Sequence, residues 1–116
     1  MDIKEYQELS KRTMKDGTMY DKLLNCAMGI SGEAGEVTDM TKKWAFQGHY
    51  LDDKDVIEEL GDVMFYIVNY ASTLNIKMED VLKANVDKLM KRYPHGFSKE
   101  DSLKRVDKEH NFDEKR

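Results

Sequence analysis

Gly29-Ile30-Ser31-Gly32-Glu33-Ala34-Gly35-Glu36-Val37 and, further on, Glu58-Glu59-Leu60-Gly61-Asp62-Val63 decide how this chain is read. Each stretch holds an acidic pair three residues apart, Glu33 with Glu36 and Glu59 with Asp62. Both lie inside helical sequence, and residues three apart share one helix face. Two helices can therefore bring four carboxylates to one small volume. Four negative charges that close repel unless a positive charge sits between them. The cation that suits oxygen-only donors is hard and divalent, Mg2+ or else Mn2+.

Working outward, the apolar spacing predicts four helices. The first spans about Asp2 to Met14, capped by Asp2, with Ile3, Tyr6 and Leu9 on one face. Lys15-Asp16-Gly17 reads as a turn. The second spans about Tyr20 to Ala45, with Leu23, Leu24, Ala27, Ile30, Ala34, Val37, Thr41 and Trp44 as its core stripe. Gly29, Gly32 and Gly35 each cost a helix about 1 kcal/mol relative to Ala, so a break or a close backbone approach is expected there. Phe46 to Leu51 reads as a loop.

Asp52 or Asp53 caps the third helix, whose expected core face is Val56, Ile57, Leu60, Val63, Met64, Ile67, Val68, Ala71 and Leu74, with Asn75 as its stop. The fourth spans Met78 to Arg92, with Leu82, Val86, Leu89 and Met90 inside, and Pro94-His95-Gly96 ends it. Residues 1–98 then form one helical domain. Residues 99–116 are a charged tail, six basic and six acidic residues, with room for a short helix around Leu103 and Val106.

On a helical wheel of about 100° per residue, Glu59, Asp62 and Tyr66 form a stripe beside the core face of the third helix. Glu33 and Glu36 do the same on the second, near Asn25 and Lys43. On the fourth, Asn85, Lys88 and Arg92 flank the core. Such edges face clefts between helices, where a bundle builds a metal or ligand site.

Composition removes other classes. A formal net charge of −4 argues against a general nucleic-acid polymer binder. The single cysteine, Cys26, forms no internal disulfide, suits a reducing cytoplasm and reads as a packed small residue. The start, Met-Asp-Ile-Lys-Glu-Tyr, has no signal-peptide core, and no apolar run is long enough to span a membrane. His49, His95 and His110 are scattered, none at E-x-x-H spacing, which argues against a di-iron bundle. There is no P-loop, no G-x-G-x-x-G and no serine-based catalytic motif. A lone E-x-x-E is usually a solvated face. Two such pairs on consecutive helices, both beside the core, are what raise the metal reading above it.

The two acidic stretches resemble the MazG-like nucleoside triphosphate pyrophosphohydrolases of the all-α NTP pyrophosphatase superfamily. Their signature is E-x-x-E, a variable spacer, then E-x-x-D; here residues 37–58 form the spacer. Lys42-Lys43, Phe46-Gln47-Gly48-His49 and Asn85-Val86-Asp87-Lys88-Leu89-Met90-Lys91-Arg92-Tyr93-Pro94 extend the likeness over roughly residues 20–98. The resemblance implies an all-α, MazG-like four-helix bundle that assembles as a homo-oligomer, dimer or tetramer. It implies Mg2+-dependent cleavage of a nucleoside triphosphate, ribo- or deoxy-, to monophosphate and pyrophosphate, in nucleotide-pool housecleaning. By resemblance, Glu33, Glu36, Glu59 and Asp62 are the metal ligands and the catalytic set. Lys88 and Arg92 hold phosphate oxygens, Lys43 is a weaker candidate, Asn85 contacts base, sugar or phosphate, and Trp44 stacks on the base or packs in the core.

Two alternatives stand beside this. One is a metal-dependent nucleotide-binding or regulatory helical protein without turnover. The other is a hydrolase of a different pyrophosphate-containing metabolite. The run Val63 to Val68 also bears on assembly. Phe65 points about 140° from Leu60, toward water in a small monomeric bundle, so the third helix is expected to contribute to a contact between copies.

Overall fold

Side-chain caps set where the helices begin. In the computed structural model, which describes residues 1–105 and 107, Asp2 starts α1 (Ile3–Ser10) by accepting from the Glu5 N–H at 2.8 Å. A 3-10 turn, Lys11–Thr13, follows. Thr18 and Asp21 form a reciprocal capping box at the head of α2 (Met19–Phe46). Asp52 accepts from the Lys54 N–H at 3.2 Å to start α3 (Asp53–Thr73). The remaining helices are α4 (Met78–Arg92) and α5 (Lys99–Lys104). Among the described residues there is no strand, so the all-α expectation holds. The short tail helix contains Leu103, whereas Val106 and His110 lie outside the described residues.

α2 is unbroken through Gly29, Gly32 and Gly35. Close approach, the other expectation for these glycines, occurs at one of them. A Cβ on Gly29 would stand 2.4 Å from Tyr66 Cδ1, while Gly32 and Gly35 face open space. The ring of Tyr66 thus packs directly on the α2 backbone at Gly29, where α2 and α3 run as an antiparallel pair across the loop 47–52. At α3's end Asn75 takes a left-handed conformation, φ 57°, one that Asn tolerates better than most residues.

The chain forms two compact units, Met1–Met78 and Glu79–Arg116. In the first, Val68, Ala71 and Met78 are buried, with Ile3, Tyr6 and Ile67 packed on them. Cys26 is buried as expected. Gln7 ties α1 to the far end of α3: its Nε2 donates to Ser72 Oγ and the Ile76 carbonyl, and its Oε1 accepts from the Met78 N–H. Buried Asn69 donates to the Phe65 and Ser10 carbonyls.

The predicted core faces need correction. On α2, Leu23, Ile30 and Val37 of the predicted stripe are half-buried, but Leu24, Ala27, Ala34, Thr41 and Trp44 are exposed, and the inward positions extend to Cys26, Gly29 and Glu33. The reason is size, since the closest contact forms where α2 carries glycine, not where its apolar side chains are largest. On α3 the half-turns nearer its start stay exposed at Ile57, Leu60 and Met64, and Leu74 is exposed at its end. On α4, Leu82, Val86, Leu89 and Met90 are likewise exposed in the single chain. Phe65, expected to face water, is instead half-buried and meets Tyr66 edge-on, ring centroids 5.2 Å apart. No described helix is long and apolar enough to cross a membrane.

Candidate metal centre

The Gly29–Tyr66 contact sets the register of the pair. One turn further along, Glu33 on α2 comes opposite Asp62 on α3; another turn brings Glu36 opposite Glu59. Glu33, Glu59 and Asp62 each offer a carboxylate oxygen, and these oxygens lie within 4.8 Å of one another. The sequence placed these carboxylates beside the core face. In the fold they lie between the helices, on the same faces that pack at Cys26 and Gly29.

Their mutual repulsion is visible at Glu59. Burial first, and then the charges of Glu33, Asp62, Glu36 and Glu58, push its carboxyl above the ordinary carboxylate value. Glu36 stands outside the tightest trio. With Glu59 it lines a cleft of about 240 Å³ whose other walls are Asp39, Met40, Lys43, His49, Tyr50 and Asp55. Lys43 donates to Asp39 at 2.9 Å. That bond, followed by the charges of Asp39 and Glu36, raises its ammonium above the usual lysine value.

The residues present fit a hard divalent cation. The donors are all oxygen, the ligand type Mg2+ takes, and three of them lie within 4.8 Å of one another. Lys43 lines the cleft beside Glu36, but its hydrogen bond goes to Asp39. Unbalanced negative charge on converging oxygens is what a bound cation relieves.

Residues 22–97 match the family model described as the MazG nucleotide pyrophosphohydrolase domain. The chain belongs to this family. It is 35% identical over 79 residues to the gene 37 protein of Mycobacterium phage L5, covering 60% of this chain and 64% of that protein. It is 33% identical over 72 residues to YvdC of Bacillus subtilis (strain 168), a protein described as uncharacterized, covering 54% of this chain and 68% of that one. The chain thus spans about two thirds of the length of these relatives. No solved structure matches it.

The MazG match takes in all four carboxylates together with Lys43, Trp44, Asn85, Lys88 and Arg92, and leaves out α1 and α5. Trp44 is half exposed and does not line the carboxylate cleft. Asn85 and Lys88 are exposed on α4. Arg92, at its end, donates from Nη2 to Ser102 Oγ at 3.3 Å and lies over the Tyr93 ring.

Several lining residues escaped the sequence reading. His49 enters the sequence reading only as a scattered histidine and as the end of the Phe46-Gln47-Gly48-His49 likeness; Gly48 at φ 72° turns the chain so that the His49 N–H returns to the Lys43 carbonyl at 3.2 Å. The Gly-His pair just past a helix end was the available signal. Asp39 and Asp55 continue the acidic faces of α2 and α3 by one turn. Tyr6 comes from α1, where the sequence held little: its phenol is raised by burial and then by the charge of Asp62. Nothing local in the sequence links residue 6 to residue 62.

Proposed function

We propose that this MazG protein hydrolyses a nucleoside triphosphate between its α and β phosphates, giving a nucleoside monophosphate and pyrophosphate. The observation that carries this reading is the convergence of Glu33, Glu59 and Asp62, with Glu36 one step away, inside a domain of the MazG family. A triphosphate and four carboxylates repel, so the reaction needs a cation between them. Mg2+ held by Glu33, Glu36, Glu59 and Asp62 would neutralise phosphate charge and polarise the attacked phosphorus; Mn2+ is the substitute of the same class.

The chain's own groups do the rest. One carboxylate of this set would also orient the attacking water and take its proton. Lys43 offers its ammonium to a phosphate oxygen by exchanging its bond with Asp39. Arg92 and Lys88 supply further phosphate contacts, Arg with its planar fork. Asn85 contacts base, sugar or phosphate, and half-exposed Trp44 is the candidate to stack on the base. The role is removal of unwanted nucleotides in the cytoplasm.

We also infer a homo-oligomer, dimer or tetramer. In the single chain Met28, Ile57 and Leu60 in the first unit, and Val86 and Met90 in the second, are all more than half exposed, and large apolar exposure of that kind marks a protein contact. Sedimentation at micromolar concentration tests it, and a fully active monomer would defeat it.

Pyrophosphate release from a panel of ribo- and deoxynucleoside triphosphates, with Mg2+ and with EDTA, tests the activity. Metal-dependent release from at least one nucleotide is expected. Metal-dependent binding without release from any of them would instead identify the regulatory alternative. Release from a different pyrophosphate-containing metabolite alone would redirect the substrate assignment.

A further inference from the structure

Beyond residue 97 the chain leaves the matched MazG domain, yet the segment that follows is built around Arg92. Ser98 caps α5 by accepting from the Asp101 N–H at 3.0 Å. The helix ends at Arg105, whose φ of 50° reverses the chain. A left-handed residue other than glycine costs about 1 kcal/mol or more, so the surroundings must hold this turn. Just past it, Asp107 has a side chain only 3% exposed, with Oδ1 3.6 Å from Arg105 Nε.

Within the same unit, Arg92 is held on two sides. Its Nη2 donates to Ser102 Oγ at 3.3 Å. Its guanidinium carbon lies 5.1 Å from the centre of the Tyr93 ring. Its Nε is buried and has no hydrogen-bond partner among the described residues. Burial alone would raise the Asp107 carboxyl. The charges of Arg105 and then Arg92 outweigh it and hold the carboxyl below its ordinary value, although neither carboxylate oxygen has a hydrogen-bond partner among the described residues.

We propose that Ser102 is a positioning residue that fixes the Arg92 guanidinium in one orientation to receive a phosphate oxygen of the substrate. The inference rests on the reading of Arg92 as a phosphate contact. A free arginine at a helix end samples many rotamers, and holding it beforehand lowers the ordering cost of binding. Ser102 takes only one of five donors, so others remain for a phosphate.

The test is a mutant cycle in the full-length chain. KM and kcat for the best substrate of the panel are measured with Mg2+, along with Kd for its α,β-methylene analogue. Ser102→Ala is expected to raise KM and Kd roughly three- to tenfold, the span of one lost hydrogen bond, with kcat within about twofold. Ser102→Thr, which keeps the hydroxyl, should restore the wild-type values. In an Arg92→Ala background Ser102→Ala should add nothing. Thermal melts identify any variant that loses α5, and the Ser102→Ala and Ser102→Thr pair then decides the matter.

If Arg92→Ala weakens binding while Ser102→Ala is silent, or if the effect of Ser102→Ala persists unchanged without Arg92, the positioning role is overturned and the phosphate contact stands. If Arg92→Ala itself changes nothing, both fall. If no nucleotide is turned over, the pyrophosphohydrolase reading fails, and the Kd cycle still decides the role of Ser102.

Discussion

The α2–α3 pair has two halves that share one register and differ in everything else. In one, Gly29 lets the Tyr66 ring lie against a bare backbone, and buried Cys26 and Asn69 sit a turn away on their respective helices. In the other, Glu33 and Glu36 on α2 face Glu59 and Asp62 on α3. The first half is close-packed, and close packing resists even one added methyl. The second half carries like charges that push apart. A helix is stiff, so the grip at Gly29 fixes where the carboxylates stand one and two turns further on. The packed half therefore supplies the geometry, and the charged half supplies the chemistry at a cost in stability when no cation is present.

The largest expected difference between the halves is catalytic. Glu36→Gln or Glu59→Gln should lower kcat/KM by about 100-fold or more, since even residues one shell removed from a metal cost 10–100-fold. Far-ultraviolet circular dichroism should stay native, because neither side chain holds the helix pair together. Near-native turnover in both variants would sink the assignment of these ligands.

The packed half should respond oppositely. A methyl on Gly29 meets Tyr66 atoms at 2.4 to 2.6 Å, near the root of the ring where little can swing away. Gly29→Ala should destabilise by about 1–3 kcal/mol, the usual overpacking cost, despite a helix-propensity gain of about 1 kcal/mol. Gly32→Ala and Gly35→Ala meet nothing within 4 Å, so each should gain up to about 1 kcal/mol. Urea unfolding of the three variants makes the comparison. A stabilised Gly29→Ala would mean that Tyr66 does not pack as described. Destabilised Gly32→Ala or Gly35→Ala would place a second copy against that face of α2.

That contrast also explains what could be read in the sequence. Helix positions, caps and the acidic pairs are local patterns, and they were legible: Asp2 and Asp52 cap as expected, and α4 spans Met78–Arg92. The facing stripe of α2 was not, beyond Leu23, Ile30 and Val37. A wheel ranks faces by apolar size, whereas this contact depends on the absence of a side chain at Gly29, and three similar glycines stood in the same stretch. Nor was the clamp from Gln7 to Ser72, Ile76 and Met78 legible, nor the approach of Tyr6 to Asp62, because both join residues far apart in the chain. His49 differs from these: its link to α2 is local, through the Gly48 turn that returns its N–H to the Lys43 carbonyl.

A smaller effect concerns stability without metal. The folded-state carboxyl of Glu59 is raised above its unfolded value, so its ionisation disfavours the fold. With EDTA present, stability should rise as pH falls from neutral through that raised folded value, because the native state there binds the extra proton. The gain should be complete once pH drops below the unfolded value near 4.5. Glu59→Gln should mimic it at neutral pH and flatten this part of the profile. Millimolar Mg2+ should raise the melting temperature of the wild type more than that of Glu59→Gln. Equal Mg2+ shifts in the two proteins would argue against Glu59 as a ligand.

The smallest effect is expected from the Asp39–Lys43 pair, which borders the charged half without holding it together. The hydrogen bond from Lys43, and the nearby charges of Lys43, Lys42 and His49, lower the Asp39 carboxyl. Its contribution is therefore present above the ordinary carboxylate range and lost as pH falls through the lowered folded value. Both side chains are more than two-fifths exposed, so solvent and salt screen the pair, and surface pairs contribute little to stability. Asp39→Asn should leave the melting temperature unchanged within error at neutral pH, in low salt and high. Lys43→Met should be equally quiet in the melt, yet raise KM, because its ammonium lines the cleft beside Glu36 and Glu59. A large loss of stability in either variant would show that the charged half is held by this pair, and not by the packing of Tyr66 on Gly29.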